Sequence, residues 1–230
     1  MSASLQGEPG HSPQAIRTAT GTQALLPFLV ATSNRHKLQE IQAILGRDGN
    51  HTCIGLDEAG AMSIEQPDET GTTFEENAVI KARYYADRTG LPTIADDSGL
   101  VVDALAGAPG VQSARWMGES TPYEQKNRHL LTLLEGVPVP ERSARFVCVV
   151  ACAWPAGQIF TARGEHEGRI HHEISGHGGF GYDPVFFSNE AGQTFGTLSA
   201  EQKNSLSHRA RAFQALLAFL NSRPNSPVEP

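Results

Sequence analysis

The sequence predicts an α/β fold whose second half is more antiparallel, and three observations carry that reading. Pro27-Phe-Leu-Val-Ala31 is a continuous apolar run, followed by a polar turn and a helix-period stretch, which is the first half of an α/β unit. A second apolar run, Thr93 to Ala95, leads into Asp96-Asp97-Ser98-Gly99. From Ser143 the apolar period changes from helical to extended, and Pro155-Ala-Gly157 reads as the turn of a hairpin.

Residues 1–26 are rich in Ser, Gly, Gln, Pro and Thr, a composition that buries too little surface to offset its ordering entropy, so they read as a disordered tail. A single domain is expected over 27–222, and 223–230, with three prolines, as a frayed end. After the first strand, Thr32-Ser-Asn-Arg-His-Lys37 is a polar turn. Leu38, Ile41, Ile44 and Leu45 then keep helical spacing up to Gly46. The free N–H groups of a helix start can cradle a phosphate, with Lys37 adding charge; a solvated Lys37 is the alternative. His51–Leu56 reads as a short strand, and 57–72 as an acidic loop holding Glu65, Asp68 and Glu69. Thr73-Phe-Glu-Glu76 is a capping box opening a helix on which Phe74, Ala78, Ala82 and Tyr85 align. Asn77 and Lys81 read as its wet side. The next strand ends at Ala95, with Gly99 in a tight turn, so that the acidic pair sits at the carboxyl end of a strand, where open α/β sheets bind ligands. Two adjacent carboxylates either bond their own backbone in a turn or share a hard cation with oxygen ligands.

Thr121-Pro-Tyr-Glu124 reads as a helix start with Thr121 as cap. Arg145–Trp154 and Gln158–Gly164 form the hairpin, and Arg169–Ile174 a third antiparallel strand. Gly176-His-Gly-Gly-Phe-Gly181 matches G-x-G-x-x-G, but Tyr182-Asp-Pro follows, and no helix can begin there easily. The dinucleotide reading therefore fails, leaving a glycine loop or hairpin corner presenting Phe180. His166, His171, His172 and His177 match no zinc spacing with Cys148 or Cys152 and read as surface residues. One helix is expected from Ser199 onwards, with Lys203, His208, Arg209 and Arg211 as a solvated basic face.

Of the 230 residues, 39% are hydrophobic and 19% charged, which suits a soluble globular chain. The formal charge of −7, without a basic run, argues against a nucleic-acid partner bound through its phosphates. No apolar run is long enough for a membrane span. No secretory signal is visible and three cysteines make no disulfide framework, so a reduced, cytoplasmic setting is expected.

Five stretches in order resemble the inosine/xanthosine triphosphate pyrophosphatase family. They are Ala31–Lys37; Glu69-Thr-Gly71 with Phe74–Ala78; Ala95–Leu100 with Gly107–Gly110 and Ser113-Ala-Arg115; Gly178–Pro184; and Lys203 with Ser207-His-Arg209. Ser33 stands where that family usually has glycine. The resemblance implies a long curved mixed sheet flanked by helices, in two lobes around a central substrate cleft, and a homodimer. It implies hydrolysis of ITP, dITP and XTP to the monophosphate and pyrophosphate with Mg²⁺. On it, Asp97 is catalytic and binds metal with Glu69 and Asp96. Thr32, Ser33, Asn34, Arg35, His36, Lys37 and Lys203 hold phosphate, and Ser98 contacts substrate beside the metal. Phe180, Gly181, Tyr182, Asp183, His208 and Arg209 serve the base, whose position-6 oxygen separates these substrates from adenosine triphosphate. A Maf-like pyrophosphatase of modified pyrimidine triphosphates and a non-catalytic nucleotide sensor are the alternatives.

Overall fold

The computed structural model describes residues 26–46, 51–155 and 157–223; the two terminal tails, apart from Leu26 and Arg223, lie outside them. Seven strands form one mixed sheet. They are β1 (Phe28–Val30), β2 (Cys53–Ile54), β3 (Thr93–Val102), β4 (Ser143–Ala153), β5 (Ile159–Ile170), β6 (Phe186–Ser188) and β7 (Gln193–Thr194). Their order is β2-β1-β3-β4-β5-β6-β7, with β1 parallel to β2 and β3 and every later pairing antiparallel. Five α-helices flank it: α1 (Arg35–Leu45), α2 (Phe74–Thr89), α3 (Tyr123–Leu133), α4 (Ala200–Leu206) and α5 (His208–Ser222).

The central strand β4 shows why the sheet needs helices on both sides. Its apolar run has no polar alternation, so both faces demand cover. Val147, Val149 and Ala151 point to one face, where Phe74, Ala78, Ala82 and Tyr85 of α2 pack. Cys148, Val150 and Cys152 point to the other, covered by Ile41 and Ile44 of α1 and Phe213, Leu216 and Leu220 of α5. Each Val, Leu, Ile or Phe among them contributes about 1.5–3 kcal/mol on burial, the alanines less. A third cluster at the far end joins Leu100, Leu130, Phe146, Tyr182, Phe186 and Phe195. No described helix is long and apolar enough to cross a membrane.

Five expectations need correction. β3 does not end at Ala95; it runs to Val102, paired with β4 along its whole length, while β1 accompanies it only at Thr93 and Ile94. The Asp-Asp-Ser segment therefore lies inside a strand, just past the point where β3 outruns its parallel neighbour. Gly99 makes no tight turn: it sits in the strand where a Cβ would collide with the Gly110 carbonyl oxygen and Ser113 Oγ. Arg169–Ile174 is not a separate strand, because β5 continues to Ile170 and the third antiparallel strand is β6. The cap of α3 is Pro122, without a side-chain bond, and Thr121 Oγ1 donates instead to the Met117 carbonyl. The helix expected from Ser199 is two helices. Ser207 adopts an extended conformation between them, and its Oγ accepts from Ala210 N to cap α5.

Candidate active site

β1 ends at Val30 and the chain enters α1 through 31–34. Asn34 caps that helix, its Oδ1 accepting from His36 N at 3.0 Å and Lys37 N at 3.2 Å. The cap thus occupies two of the N–H groups that the sequence reading offered to phosphate. Ser33, in the place of the usual glycine, needs no left-handed backbone: among the described non-glycine residues only Ala106 and Met117 have positive φ. Ser33 Oγ accepts from Gln66 Nε2 at 3.0 Å, joining this turn to the acidic loop.

Strand alternation separates the two aspartates, because neighbouring residues of β3 face opposite sides of the sheet. Asp96, buried, faces α1 and α5, where its Oδ2 lies 3.1 Å from Lys37 Nζ and 3.3 Å from Arg209 Nη2 and accepts from Ser98 Oγ. Burial opposes ionisation of Asp96, yet Lys37 and Arg209 hold its carboxyl below the usual range. Asp97 faces α2. Its Oδ2 accepts from Asn77 Nδ2 at 3.1 Å and its Oδ1 from Ser98 N at 3.0 Å. Burial pushes the Asp97 carboxyl up, Lys81 and Lys37 oppose this, and Glu69 adds to it.

Asn77 also ties down the acidic loop, its Oδ1 accepting from Gly71 N at 2.8 Å. Glu69 then lies 2.5 Å from Lys81 Nζ and 2.7 Å from Arg115 Nη1. Lys81 donates in addition to the Asp96 carbonyl. Burial disfavours its charge, but Glu69 and Asp96 raise its pKa and keep it an ammonium.

Opposite these groups, the glycine loop is held by Asp183, whose Oδ2 accepts from Phe180 N at 2.6 Å and Lys203 Nζ at 2.7 Å. Gly179, at φ +68°, must lack a side chain because its Cβ would meet that carboxylate. Asn127 donates to the Gly181 carbonyl and Tyr182 OH to the Ser113 carbonyl. Lys203 Nζ lies 4.4 Å from the Phe180 ring centre, and the His36 ring stacks on Phe180 at 5.8 Å. The break at Ser207 puts His208 and Arg209 in the first turn of α5, facing inward. His208 stacks on Phe146 at 4.8 Å. Burial, together with Arg209 and Lys203, keeps the imidazole neutral, and its Nδ1 is buried without a hydrogen-bond partner.

These elements enclose a cleft of about 460 Å³ lined by Lys37, Glu69, Lys81, Asp97, Ser98, Phe180, Lys203, His208 and Arg209, among others. Its size suits a small ligand, and its many charged lining groups suit a charged one. One wall carries a carboxylate without a cation bonded to it, Asp97, and around the cleft stand ammonium and guanidinium groups beside an aromatic ring. The sequence profile described as the Ham1 family matches residues 28–219. The chain belongs to the Ham1 family. A dITP/XTP pyrophosphatase of Geobacter sulfurreducens is 50% identical to it over 190 residues, covering 82% of this chain and 94% of the relative. One of Desulforamulus reducens is 46% identical over 196 residues, covering 85% and 96%. A solved HAM1 protein from Coxiella burnetii superposes with a TM-score of 0.78 at 39% identity, covering 86% of this chain and 100% of that one. A nucleoside-triphosphatase / dITP/XTP pyrophosphatase from Mycobacterium abscessus gives 0.67 at 39% identity, covering 84% and 99%.

In this Ham1 chain the cleft gathers Thr32, Ser33, Asn34, Gly181, Tyr182 and Asp183 with the lining residues already named. Arg35, His36 and Asp96 are not among that lining. Arg35 and His36 are exposed, and Asp96 lies behind the wall as the counter-ion of Lys37 and Arg209. Lys203, His208 and Arg209 are buried rather than a solvated face, while Arg211 alone of that group stays exposed. His166 is no surface residue either: it is buried, bonded to the Leu206 carbonyl and Ser188 Oγ. Asn77 and Lys81 do not form the wet side of α2. Counting from Phe74, positions 77, 78, 81, 82 and 85 form one stripe at helical spacing, so the pattern that buries Ala78 and Ala82 also turns Asn77 and Lys81 inward. That spacing was the signal available in the sequence. Glu40 of α1 follows the same rule, on the stripe of Ile41 and Ile44.

Proposed function

We propose that the chain hydrolyses non-standard purine nucleoside triphosphates, ITP and dITP and XTP, to the monophosphate and pyrophosphate. The observation that carries this reading is the polarity of the cleft: Asp97, Glu69 and Lys81 stand on the α2 side, and Phe180 with Lys203, His208 and Arg209 on the other. A triphosphate then lies along the cations while its base reaches the aromatic ring. The relatives' name, dITP/XTP pyrophosphatase, supports the substrate class.

The donor set fits a hard divalent cation such as Mg²⁺. Asp97 offers carboxylate oxygens to the cleft with no cation bonded to it, and Glu69, paired with Lys81 and Arg115, is a further carboxylate on the α2 side of its wall. Among the described residues no cluster of three or more metal-ligating side chains exists. That suits Mg²⁺, which is held by one or two carboxylates plus substrate phosphates rather than by an all-protein cage. When bound, the ion neutralises phosphate oxygens and polarises the phosphorus they surround. Asp96, which does not line the cleft, leaves the ligand set under this reading and acts on Lys37 and Arg209 instead.

Water attacks the α-phosphorus, the α–β anhydride bond breaks, and pyrophosphate leaves. Asp97, which faces the cleft, takes the proton of the attacking water as general base. Lys37, Lys81 and Lys203 are fixed in advance by Asp96, Glu69 and Asp183, so their charge meets the developing negative oxygens without reorganisation. Buried donors at His208 and Arg209 face the position-6 oxygen of inosine favourably and the amino group of adenosine badly. Each donor left unpaired costs about 1–3 kcal/mol. The reading extends to a cytoplasmic homodimer, for which exposed Met117, Leu133 and Val139 supply apolar surface.

Product analysis with ITP and Mg²⁺ tests the proposal. Pyrophosphate and inosine monophosphate are expected, and Asp97→Asn should lower turnover by about 10²–10⁴-fold, the usual weight of a general base. Orthophosphate release, or wild-type turnover in Asp97→Asn, refutes it. The intact Asp97 and cation set favour catalysis over a nucleotide sensor, and the Phe180 loop with His208-Arg209 favours purines over the Maf-type pyrimidine substrates.

A further inference from the structure

Glu40 lies on α1 three residues beyond Lys37, on the face that the helix buries. Its two carboxylate oxygens take different partners. Oε1 accepts from Lys203 Nζ at 2.8 Å, and Oε2 from Arg209 Nη1 at 2.5 Å. Those cations come from α4 and α5, on either side of the break at Ser207. Each reaches a second carboxylate, Lys203 to Asp183 and Arg209 to Asp96, and Asp96 in turn meets Lys37. The result is an unbroken row of alternating charge, Asp183, Lys203, Glu40, Arg209, Asp96, Lys37, running from the Phe180 loop to the first turn of α1. Glu40 is not among the residues lining the cleft. It touches the two cations from behind. Burial works against its ionisation, but Arg209 and Lys203 hold the carboxyl below the ordinary glutamate range, so it is charged at neutral pH.

We infer that Glu40 is a positioning residue that sets base selectivity, by clamping Lys203 and Arg209 at a fixed distance from the phosphate turn carried on its own helix. The inference rests on the proposed function, which puts the base beside Phe180 and these cations. The physical reason is rigidity. A donor on a free side chain swings away from an amino group and so rejects it weakly; a donor that cannot move rejects it fully. Arg209 Nη1 is taken by Glu40, and Nη2 by Asp96 and Ser98 Oγ, which fixes the plane of the guanidinium. Without Glu40 the two cations have no shared anion and repel one another. Because Glu40 and Lys37 share α1, the clamp also fixes the span between the two ends of the substrate.

The test compares wild type with Glu40→Ala and the near-isosteric Glu40→Gln, checking the fold of each by circular dichroism. Dissociation constants are measured for ITP, ATP and inorganic tripolyphosphate, alongside kcat/KM for the two nucleotides. The ITP-to-ATP ratio should fall by about tenfold or more in both variants, the scale set by one misplaced polar contact. Tripolyphosphate, which has no base, should lose less affinity than ITP, since Lys37 and Lys81 keep their own carboxylates and Lys203 keeps Asp183. A ratio within about twofold of wild type in Glu40→Gln overturns the inference. So does a loss of tripolyphosphate binding as large as the loss of ITP binding, which would make Glu40 a general support of α1. If wild type releases no pyrophosphate from ITP, the proposed activity fails, while the binding ratios still decide the role of Glu40.

Discussion

Lys81 illustrates how single residues are set in this site. Its ammonium lies between Glu69 and the Asp96 carbonyl, so it is anchored on the protein side and directs charge into the cleft. Replacing it with methionine keeps the length of the stem and removes the charge. Lys81→Met is expected to lower kcat on the order of 10²–10³-fold, the usual loss for one fixed donor at a developing oxyanion. Glu69 retains Arg115, so the acidic loop should stay in place and the melting temperature should change little. Steady-state kinetics with thermal unfolding on the same preparation checks both halves of the expectation. Asp97 and Lys203 were legible in the sequence because motif order singled them out. Lys81 and Glu40 were not, because a charged residue on a helix reads as solvated unless its spacing is counted against the apolar stripe.

At the level of elements, the decisive feature near the base end is the interruption between α4 and α5. A stripe of apolar residues from Leu206 to Leu220 is compatible with one helix or two, and hydrophobic spacing does not report a single extended residue. What breaks the helix is local: Ser207 takes an extended conformation and caps the next turn with its own hydroxyl. Ser207→Ala removes that cap and should cost about 1 kcal/mol in urea-induced unfolding, as N-cap losses do. It should also raise KM for ITP, because the first turn of α5 carries His208 and Arg209. A variant with unchanged stability would show that packing alone holds the break. The capping boxes at Thr73 and Ser199, by contrast, were readable in full, since each is a reciprocal side-chain pair written into four residues. Strand ends were the least legible. The extent of β3 depends on β4 beside it, a partner some fifty residues away in sequence.

Among the described residues Asp96, Asp97, Asp183, Lys203, His208 and Arg209 are all buried, and stability should register such burial through pH. His208 is held well below the ordinary histidine value by burial and by Arg209 and Lys203, and His166 is lowered by burial. Both titrate near pH 6.5 when unfolded. Their folded values are depressed, so the unfolded chain binds more protons as the pH falls below that point. The stability they allow is therefore complete above about pH 6.5 and lost progressively below it, by up to about 1.4 kcal/mol per pH unit for each group. Urea unfolding at pH 7.5, 6.5 and 5.5 should show this decline, and His208→Asn should flatten it. The sheet adds a constraint of a different kind. Since Asp96 and Asp97 differ only in which side of β3 they occupy, inserting or deleting one residue ahead of them would swap their surroundings. The proton acceptor would be locked against Lys37 and Arg209, and the locked carboxylate would be turned toward Lys81. Descendants of this gene can therefore drift in side-chain identity along the strand, but frame-preserving indels between Thr93 and Asp97 should be eliminated by selection even where the fold survives them.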